Sequence, residues 1–358
     1  MNGPTSRCDQ SFERLGFAVL ILLALTPLVY PDESSFARVV PRAVFVRMGI
    51  GVGAVILVWA MGTGRVAASD SRDPILWSLV LLAFASLLSA LVGPAPEWSL
   101  FGGLERMWGS IQWVYLLLYY VIIRTFLDDA DWELLLRITL YVAIAAAGYG
   151  ALEYLVHTGL SAPGSVIVNN TLGNKGYLGA YMILAGGTAA VVFGRESDFV
   201  PTWIRASIFA LFVLVVGLTG RRAPLLGGAV GAGAVVALFV RSRARQADAG
   251  GRGALWYLAT VVGIAGAAYL LVPEVLTGIP AVSRFADLDL TDGTVAARLA
   301  VWEAGLEGFW ARPVTGWGPE NFHLVYDRFA DPSAYRLLSD RTVWDRAHNV
   351  VVGKLVQS

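Results

Sequence analysis

Residues 74–96 read PILWSLVLLAFASLLSALVGPAP and contain no ionisable side chain. A helix needs about 20 mostly apolar residues to cross the hydrocarbon core of a bilayer, so this stretch is long enough. Its side chains do not alternate in polarity as the strands of a membrane β-barrel do. A helix also satisfies every backbone amide within the segment itself. The stretch therefore predicts a transmembrane α-helix.

Eight further stretches likewise lack Asp, Glu, Lys, Arg and His. The whole chain is 56% hydrophobic and 15% charged, whereas a soluble domain is about one-quarter charged. We therefore predict an all-α fold, a polytopic transmembrane helical bundle of about nine helices within residues 1–273. The eight stretches are residues 15–31, 48–64, 107–123, 138–152, 176–194, 206–220, 223–240 and 253–273.

Arginines between the stretches predict the orientation, because cytoplasmic loops carry an excess of basic residues. The strongest basic cluster, Arg241-Ser-Arg-Ala-Arg245, is therefore expected in the cytoplasm. Counting back eight stretches places the N-terminus in the cytoplasm as well. The large polar segment that follows the last stretch then lies on the outer side. The exception is a basic group that this orientation also places outside, namely Arg38, Arg42 and Arg47.

Three regions follow from this pattern: the bundle at residues 1–273, a large outer loop at 274–347, and the start of a further transmembrane helix at 348–358. The last region is too short to span a bilayer. We expect the sequence to be a C-terminally truncated piece. Without the missing spans to hold the end of the loop in place, we expect no activity from that piece alone.

The outer loop contains a predicted amphipathic helix at residues 295–311. Arg298, Trp302, Gly305 and Phe309 recur there at helical spacing and form one stripe. Such a helix is expected to lie on the membrane surface or to cover the mouth of a cavity between spans.

Composition excludes several classes of function. The net charge is zero, so no overall basic field attracts nucleic acid. Cys8 is the single cysteine and cannot form an internal disulfide. The three histidines, His157, His323 and His348, are far apart in sequence, so no metal site is predicted.

Two adjacent arginines, Arg221 and Arg222, lie between apolar stretches on the predicted outer side. Charged groups at such a place are costly unless they are solvated or paired with an anion. A guanidinium presents a planar fork that suits phosphate or diphosphate. Few arginines are expected on the outer side of a membrane protein. Two adjacent arginines there therefore favour an anion site. The alternative is that both side chains extend to the lipid headgroups.

Two residues of the outer loop are candidates for the chemistry. Histidine is the common general base near neutral pH, so His348 is a candidate, with Asp345 to orient it. The alternative is an interfacial histidine without a role. Arg298 is a candidate anion contact, and its alternative is a surface ion pair with Glu303 or Asp292.

The turn before residue 176 offers a fourth candidate. Lys175 adds a cation beside the membrane, and Asn174 precedes it. Asparagine is also a good helix N-cap. The sequence therefore supports either a binding turn or an ordinary helix start.

Short motifs follow one another in the second half of the chain. They are Gly173-Asn174 with Tyr177-Leu-Gly-Ala-Tyr181, Thr219-Gly-Arg-Arg-Ala223, Arg298-Leu-Ala-Val-Trp302, Pro313-Val-Thr-Gly-Trp-Gly-Pro-Glu-Asn-Phe322 and Asp345-Arg-Ala-His-Asn349. Each is weak alone, but their order on a polytopic scaffold is specific. In this order the sequence resembles the O-antigen ligase and O-antigen polymerase family of bacterial inner membranes. The resemblance covers roughly residue 170 to the end.

The resemblance implies a metal-independent, inverting glycosyltransferase that needs no cofactor and no nucleotide sugar. Its donor would be a glycan on undecaprenyl diphosphate at the periplasmic face of the inner membrane, and a ligase would pass that glycan to lipid A–core. A polymerase would extend a second lipid-linked chain, and a protein O-oligosaccharyltransferase would glycosylate Ser or Thr. The protein would be multi-pass, with a cytoplasmic N-terminus and a periplasmic loop.

Functional residues are carried over from the family motif by motif. Arg222 matches the arginine after the short outer turn that holds the diphosphate, with Arg221 as a second contact. Arg298 matches the arginine of the R-x-x-x-W motif, and His348 matches the acceptor-activating histidine of the A-H-N motif. Fixed guanidinium groups would stabilise the charge on the leaving diphosphate. Substrate contacts are also expected from Asn174, Lys175, Trp302, Trp317 and Asn349.

Other classes and finer choices stay open at this point. A transporter would show polar or broken helices near the middle of the membrane, whereas the predicted spans are apolar. A non-catalytic membrane scaffold would explain the spans but not the set of Arg222, Arg298 and His348. The sequence does not choose among ligase, polymerase and protein glycosylation. We expect acceptor choice to be set within residues 274–346.

Overall fold

A computed structural model describes residues 10–29, 39–66, 72–103, 107–158, 172–195, 200–221, 224, 227–229, 231, 233, 293–332 and 344–357. No β-strand occurs among these residues, which confirms the predicted all-α fold. The predicted spans at 223–240 and 253–273 fall largely or wholly outside the described residues.

The helices are named here in chain order. They are α1 (Gln10–Ala24), α2 (Val40–Gly62), α3 (Pro74–Val92), α4 (Pro96–Phe101), α5 (Ile111–Phe126), α6 (Asp129–Thr158), α7 (Lys175–Arg195), α8 (Thr202–Leu218), α9 (Gly293–Ala311), α10 (Phe322–Phe329) and α11 (Val350–Gln357).

Five helical stretches in the described part are long and apolar enough to cross a membrane. Two further apolar helices, α5 and α8, are shorter. The chain is therefore a multi-pass, all-α membrane protein. The five stretches are Gln10–Leu28, Val40–Gly62, Pro74–Val92, Asp129–Val156 and Lys175–Gly194.

Helix α3 begins at Pro74 because Asp73 caps it. The Asp73 carboxylate accepts hydrogen bonds from the amides of Ile75 at 2.9 Å and Leu76 at 3.4 Å. It also accepts the Tyr120 hydroxyl at 2.7 Å and lies 3.3 Å from Arg124 Nε. The Tyr120 hydrogen bond is the main cause that holds the Asp73 pKa below its ordinary value. One carboxylate thus starts α3 and joins it to α5.

The chain forms two compact units. The first comprises Met1–Thr26, Tyr30–Trp132 and Asp289–Ser358, and it contains α1 to α5 together with α9 to α11. The second comprises Pro27–Val29 and Glu133–Leu288, and it contains most of α6 together with α7 and α8. The predicted division into three regions, with boundaries at residues 273 and 347, stays a prediction. The two compact units divide the chain at other residues.

Helix α9 confirms the helix predicted at residues 295–311. It approaches two short helices closely at glycine residues. A Cβ atom at Gly305 would lie 2.6 Å from Val352 Cγ1 on α11, and one at Gly308 would clash with Val325 Cγ1 on α10. The predicted stripe does not share one environment, since Arg298 is exposed, Trp302 is half-buried and Gly305 is buried. Close backbone approach therefore packs α9 against both short helices.

Candidate functional site

His348 lies immediately before helix α11, in a backbone conformation that non-glycine residues seldom adopt. Its φ is +49°, which is the left-handed region. The next residue, Asn349, caps α11: its Oδ1 accepts hydrogen bonds from Val351 N at 2.9 Å and Val352 N at 3.4 Å. Strained backbone of this kind is concentrated at functional sites. The cap therefore holds the histidine in a fixed but costly conformation.

Two tryptophans support the backbone around His348. The Trp302 indole Nε1 donates a hydrogen bond to Ala347 O at 2.8 Å. The Trp344 ring meets the His348 ring edge to face, with 5.3 Å between centroids. Trp302 thus connects the Arg298-to-Trp302 motif on α9 to the residue before the histidine.

His348 and Asn349 line a cavity of about 360 Å³ in the first unit. Its volume lies in the range of small-molecule sites. The cavity brings together residues from two distant stretches of the chain, residues 108–113 and 319–357. The lining residues used below are Trp108, Trp113, Glu320, Arg346, His348, Asn349 and Lys354.

An ion pair forms part of the cavity wall. Glu320 Oε1 lies 3.2 Å from Arg346 Nη2. Glu320 also has a left-handed backbone, with φ of +63°, and it ends a turn in which Gly316 and Gly318 are left-handed too. A Cβ atom at Gly318 would lie 2.5 Å from Ser99 Oγ. Glycine is therefore required there by both conformation and space.

Trp317 sits inside that turn and is only 4% exposed. Its Nε1 donates to Gly308 O at 2.8 Å, and its backbone amide donates to Val356 O at 2.8 Å. The Arg312 guanidinium lies 4.5 Å from the ring centroid. The structure places Trp317 in the core beside α11, and this burial gives no support to the predicted contact with a sugar.

Arg298 is exposed on α9, one turn before Trp302. Within the described part of the chain it makes no ion pair with Glu303, one of the two alternatives that the sequence suggested. The other alternative, Asp292, lies outside the described residues. Its exposed guanidinium remains accessible to an anion from solvent.

The second unit holds the remaining predicted residues. Asn174 Oδ1 accepts a hydrogen bond from Gly176 N at 2.7 Å, which makes Asn174 the cap of α7. Lys175 is the first residue of that helix. The cap confirms a helix start at this turn and leaves the binding role of both residues a prediction.

The turn after α8 presents Arg221 at the surface. Thr219 is buried, its hydroxyl donates to Val216 O at 2.7 Å, and it accepts the amide of Arg221 at 3.4 Å. Gly220 between them is left-handed, with φ of +64°. Arg221 itself is exposed. Arg222 lies outside the described residues.

The first two motifs meet within this unit. A Cβ atom at Gly179 would lie 2.5 Å from Pro224 Cγ and 3.6 Å from Thr219 Oγ1. Glycine on α7 thus lets the turn after α8 approach closely. The contact explains why the first motif needs a glycine at this position, independently of any ligand.

A comparison with known families finds a match in the second half of the chain. Residues 207–358 match a family model described as O-antigen ligase. This part of the chain is similar to the O-antigen ligase family. No curated protein and no solved structure matches the chain.

The O-antigen ligase region contains Arg221, Arg298, His348 and the predicted tryptophans. Asn174 and Lys175 lie before it. So do Trp108 and Trp113, which line the His348 cavity and which the sequence analysis missed. Aromatic residues at the end of an apolar stretch are common at membrane interfaces. No local pattern therefore distinguished these two from any other interfacial tryptophan.

Proposed function

We propose that this O-antigen ligase family member is a glycosyltransferase that moves a glycan from undecaprenyl diphosphate to a hydroxyl of lipid A–core. Transfer takes place at the periplasmic face of a bacterial inner membrane, with the N-terminus in the cytoplasm. The observation that carries the proposal is the left-handed His348 in the wall of a cavity of about 360 Å³, within the matched region.

In this reaction His348 is the general base. The acceptor hydroxyl attacks the anomeric carbon and gives its proton to an imidazole nitrogen. The new carbon–oxygen bond forms on the face opposite the leaving group, which inverts the anomeric centre. Trp302 and Trp344 support this role, because they fix the backbone and the ring of the histidine.

The bond from the sugar to the diphosphate breaks, and undecaprenyl diphosphate leaves with the electron pair. Its developing negative charge is stabilised by the guanidinium group of Arg298. The diphosphate role of Arg221 and Arg222 rests on their sequence motif. Arginine forks bind phosphate oxygens in pairs, so transfer needs no metal ion. The exposure of Arg298 supports access to the donor headgroup.

A transfer assay tests this proposal. The full-length gene product is placed in liposomes with undecaprenyl-diphosphate glycan, lipid A–core and a metal chelator. We expect His348→Ala to lower the rate by about 100- to 10,000-fold, the usual contribution of a general base. Arg298→Ala should lower it by about 100- to 1,000-fold. His323→Ala on α10 is the matched control and should transfer normally.

The outcomes separate the alternatives. A ladder on the undecaprenyl lipid would identify a polymerase, and product on a protein Ser or Thr would identify a protein O-oligosaccharyltransferase. If wild type transfers and both variants keep its rate, the site assignment is refuted. If wild type transfers no glycan to any acceptor, transport or scaffolding becomes the better explanation.

A further inference from the structure

We propose that the cavity beside His348 binds an acceptor sugar that carries an anionic group, a phosphate or a carboxylate, and that Lys354 binds this group. The inference rests on the proposed function and adds the chemical class of the acceptor. It also extends the acceptor site beyond the loop at residues 274–346, since Trp108 and Trp113 come from the N-terminal half and Lys354 comes from α11.

The charges that line the cavity favour an anion. Glu320 and Arg346 are joined in an ion pair at 3.2 Å, so their charges offset each other. Lys354 adds a further cation, so the Glu, Arg and Lys side chains that line the cavity sum to one positive charge. A positively charged concave surface attracts an anionic ligand group.

The Lys354 ammonium is oriented by an aromatic ring. Its Nζ lies 4.8 Å from the centroid of the Trp113 ring, in the geometry of a cation–π contact. A lysine on an apolar helix is costly where it faces lipid. Here Lys354 lines the cavity. Trp113 therefore keeps the ammonium at the place where an acceptor would lie.

The helix that carries Lys354 is held at both ends. Asn349 caps its first turn. At its other end, Val356 O accepts the Trp317 amide at 2.8 Å, and Gln357 O accepts the Ser89 hydroxyl at 2.5 Å. These bonds satisfy two of the carbonyls that a helix end leaves unpaired. The cation is thus positioned before any ligand arrives, which lowers the entropic cost of binding.

The cavity also offers an apolar face for a sugar ring. Trp108 lies at its wall and is 54% exposed. The face of an exposed indole is a large, rigid apolar surface. A ring placed against Trp108 would have the cation of Lys354 and the imidazole of His348 in the same cavity.

Acceptor discrimination tests the inference. Transfer is measured to unmodified, phosphorylated lipid A–core, which is called the acidic acceptor. It is also measured to the same lipid after phosphatase treatment and to the same lipid after its carboxylates have been reduced to alcohols, and each of these lacks one anionic group and is called a neutral acceptor for that group. We expect wild type to prefer the acidic acceptor over one of the two neutral acceptors by about tenfold in kcat/KM, the size of one charge-assisted hydrogen bond. The treatment that lowers kcat/KM identifies the group bound: phosphate if it is the phosphatase, carboxylate if it is the reduction.

Variants of Lys354 and Trp113 are then compared. Lys354→Gln should abolish the preference while its rate on the neutral acceptor stays within about threefold of wild type, because only the charge is removed. Lys354→Arg should restore the preference. Trp113→Leu should weaken it and Trp113→Phe should keep it, because phenylalanine retains a π face.

Equal kcat/KM of wild type for acidic and neutral acceptors would overturn the inference and leave the glycosyl transfer standing. So would an equal loss on both acceptors in Lys354→Gln, which would indicate a structural role. If wild type transfers nothing, the proposed function fails. The inference about Lys354 is then tested separately by a binding measurement. Fluorescently labelled, phosphorylated core oligosaccharide should then bind wild type and Lys354→Arg about tenfold more tightly than Lys354→Gln, and equal affinities would refute the site.

Discussion

At the scale of single residues, Asn349 has two possible roles that the structure allows us to separate. Its Oδ1 is occupied by two backbone amides at the start of α11, whereas the sequence predicted a substrate contact. The residue also lines the cavity beside His348. If the cap is its role, Asn349 is a positioning residue that acts through the histidine.

Asn349→Asp and Asn349→Ala distinguish the two roles. Aspartate keeps the capping oxygen and removes the amide donors, so we expect nearly unchanged stability and rate. Alanine removes the cap, which should cost about 1 kcal/mol of unfolding free energy, and it should lower kcat more than it raises KM. Both are measured by denaturant unfolding in mixed micelles and by the transfer assay. Loss of acceptor affinity in Asn349→Asp would instead identify a substrate contact.

At the scale of helices, small residues decide which elements meet. Helix α9 contacts α10 through Gly308 and α11 through Gly305. Since α11 carries Lys354 and begins directly after His348 and Asn349, this packing sets the position of the cavity wall.

Gly308→Leu should therefore separate α9 from α10. Overpacking of this kind costs about 1–3 kcal/mol, and we expect a lower Tm together with reduced transfer. Glu307→Ala is the matched control, because its side chain is exposed on the same helix. A Gly308→Leu variant with the Tm and activity of wild type would show that the close approach has no energetic importance.

Helix boundaries show how far sequence alone could go. The apolar stretch at 74–96 is longer than α3, which ends at Val92. The last residue of the stretch, Pro96, begins the separate helix α4. Composition does not detect this break, because Gly93, Pro94 and Ala95 carry no charge. Length and apolarity predicted that helices exist, but the ends depend on backbone breakers and caps.

At the scale of the whole molecule, the first unit joins residues from both ends of the chain. Asn321 is fully buried, and its Nδ2 donates to Ser99 Oγ at 2.7 Å and to Trp317 O at 2.7 Å. This contact fastens the turn before α10 to helix α4. The spans, the order of the motifs and the region around His348 could be predicted from local patterns. The partners Ser99, Trp108 and Trp113 could not, because contacts between distant segments leave no periodic trace in either one.

A double-mutant cycle between Ser99 and Asn321 measures this connection. We expect Ser99→Ala and Asn321→Ala to be coupled by about 0.5–1.5 kcal/mol in the free energy of unfolding, because they share a buried hydrogen bond. Ser78→Ala is the control partner. Its hydroxyl donates to Pro74 O on its own helix, so its effect should add to that of Asn321→Ala. If the effects of Ser99→Ala and Asn321→Ala on the free energy of unfolding simply added, the two side chains would not be energetically coupled, and the proposed connection would be wrong.

The His348 cavity is built from two distant stretches of the chain. This limits which segments can be exchanged between relatives. A chimaera that exchanged only residues 207–358 would bring its own histidine and lysine equivalents, yet it would inherit the tryptophan wall of its host. Under the proposed function, its glycan transfer would follow the inserted region, whereas its acceptor preference would depend on both parents. Retargeting such an enzyme therefore requires the short segment around Trp108 and Trp113 to be exchanged along with the matched region.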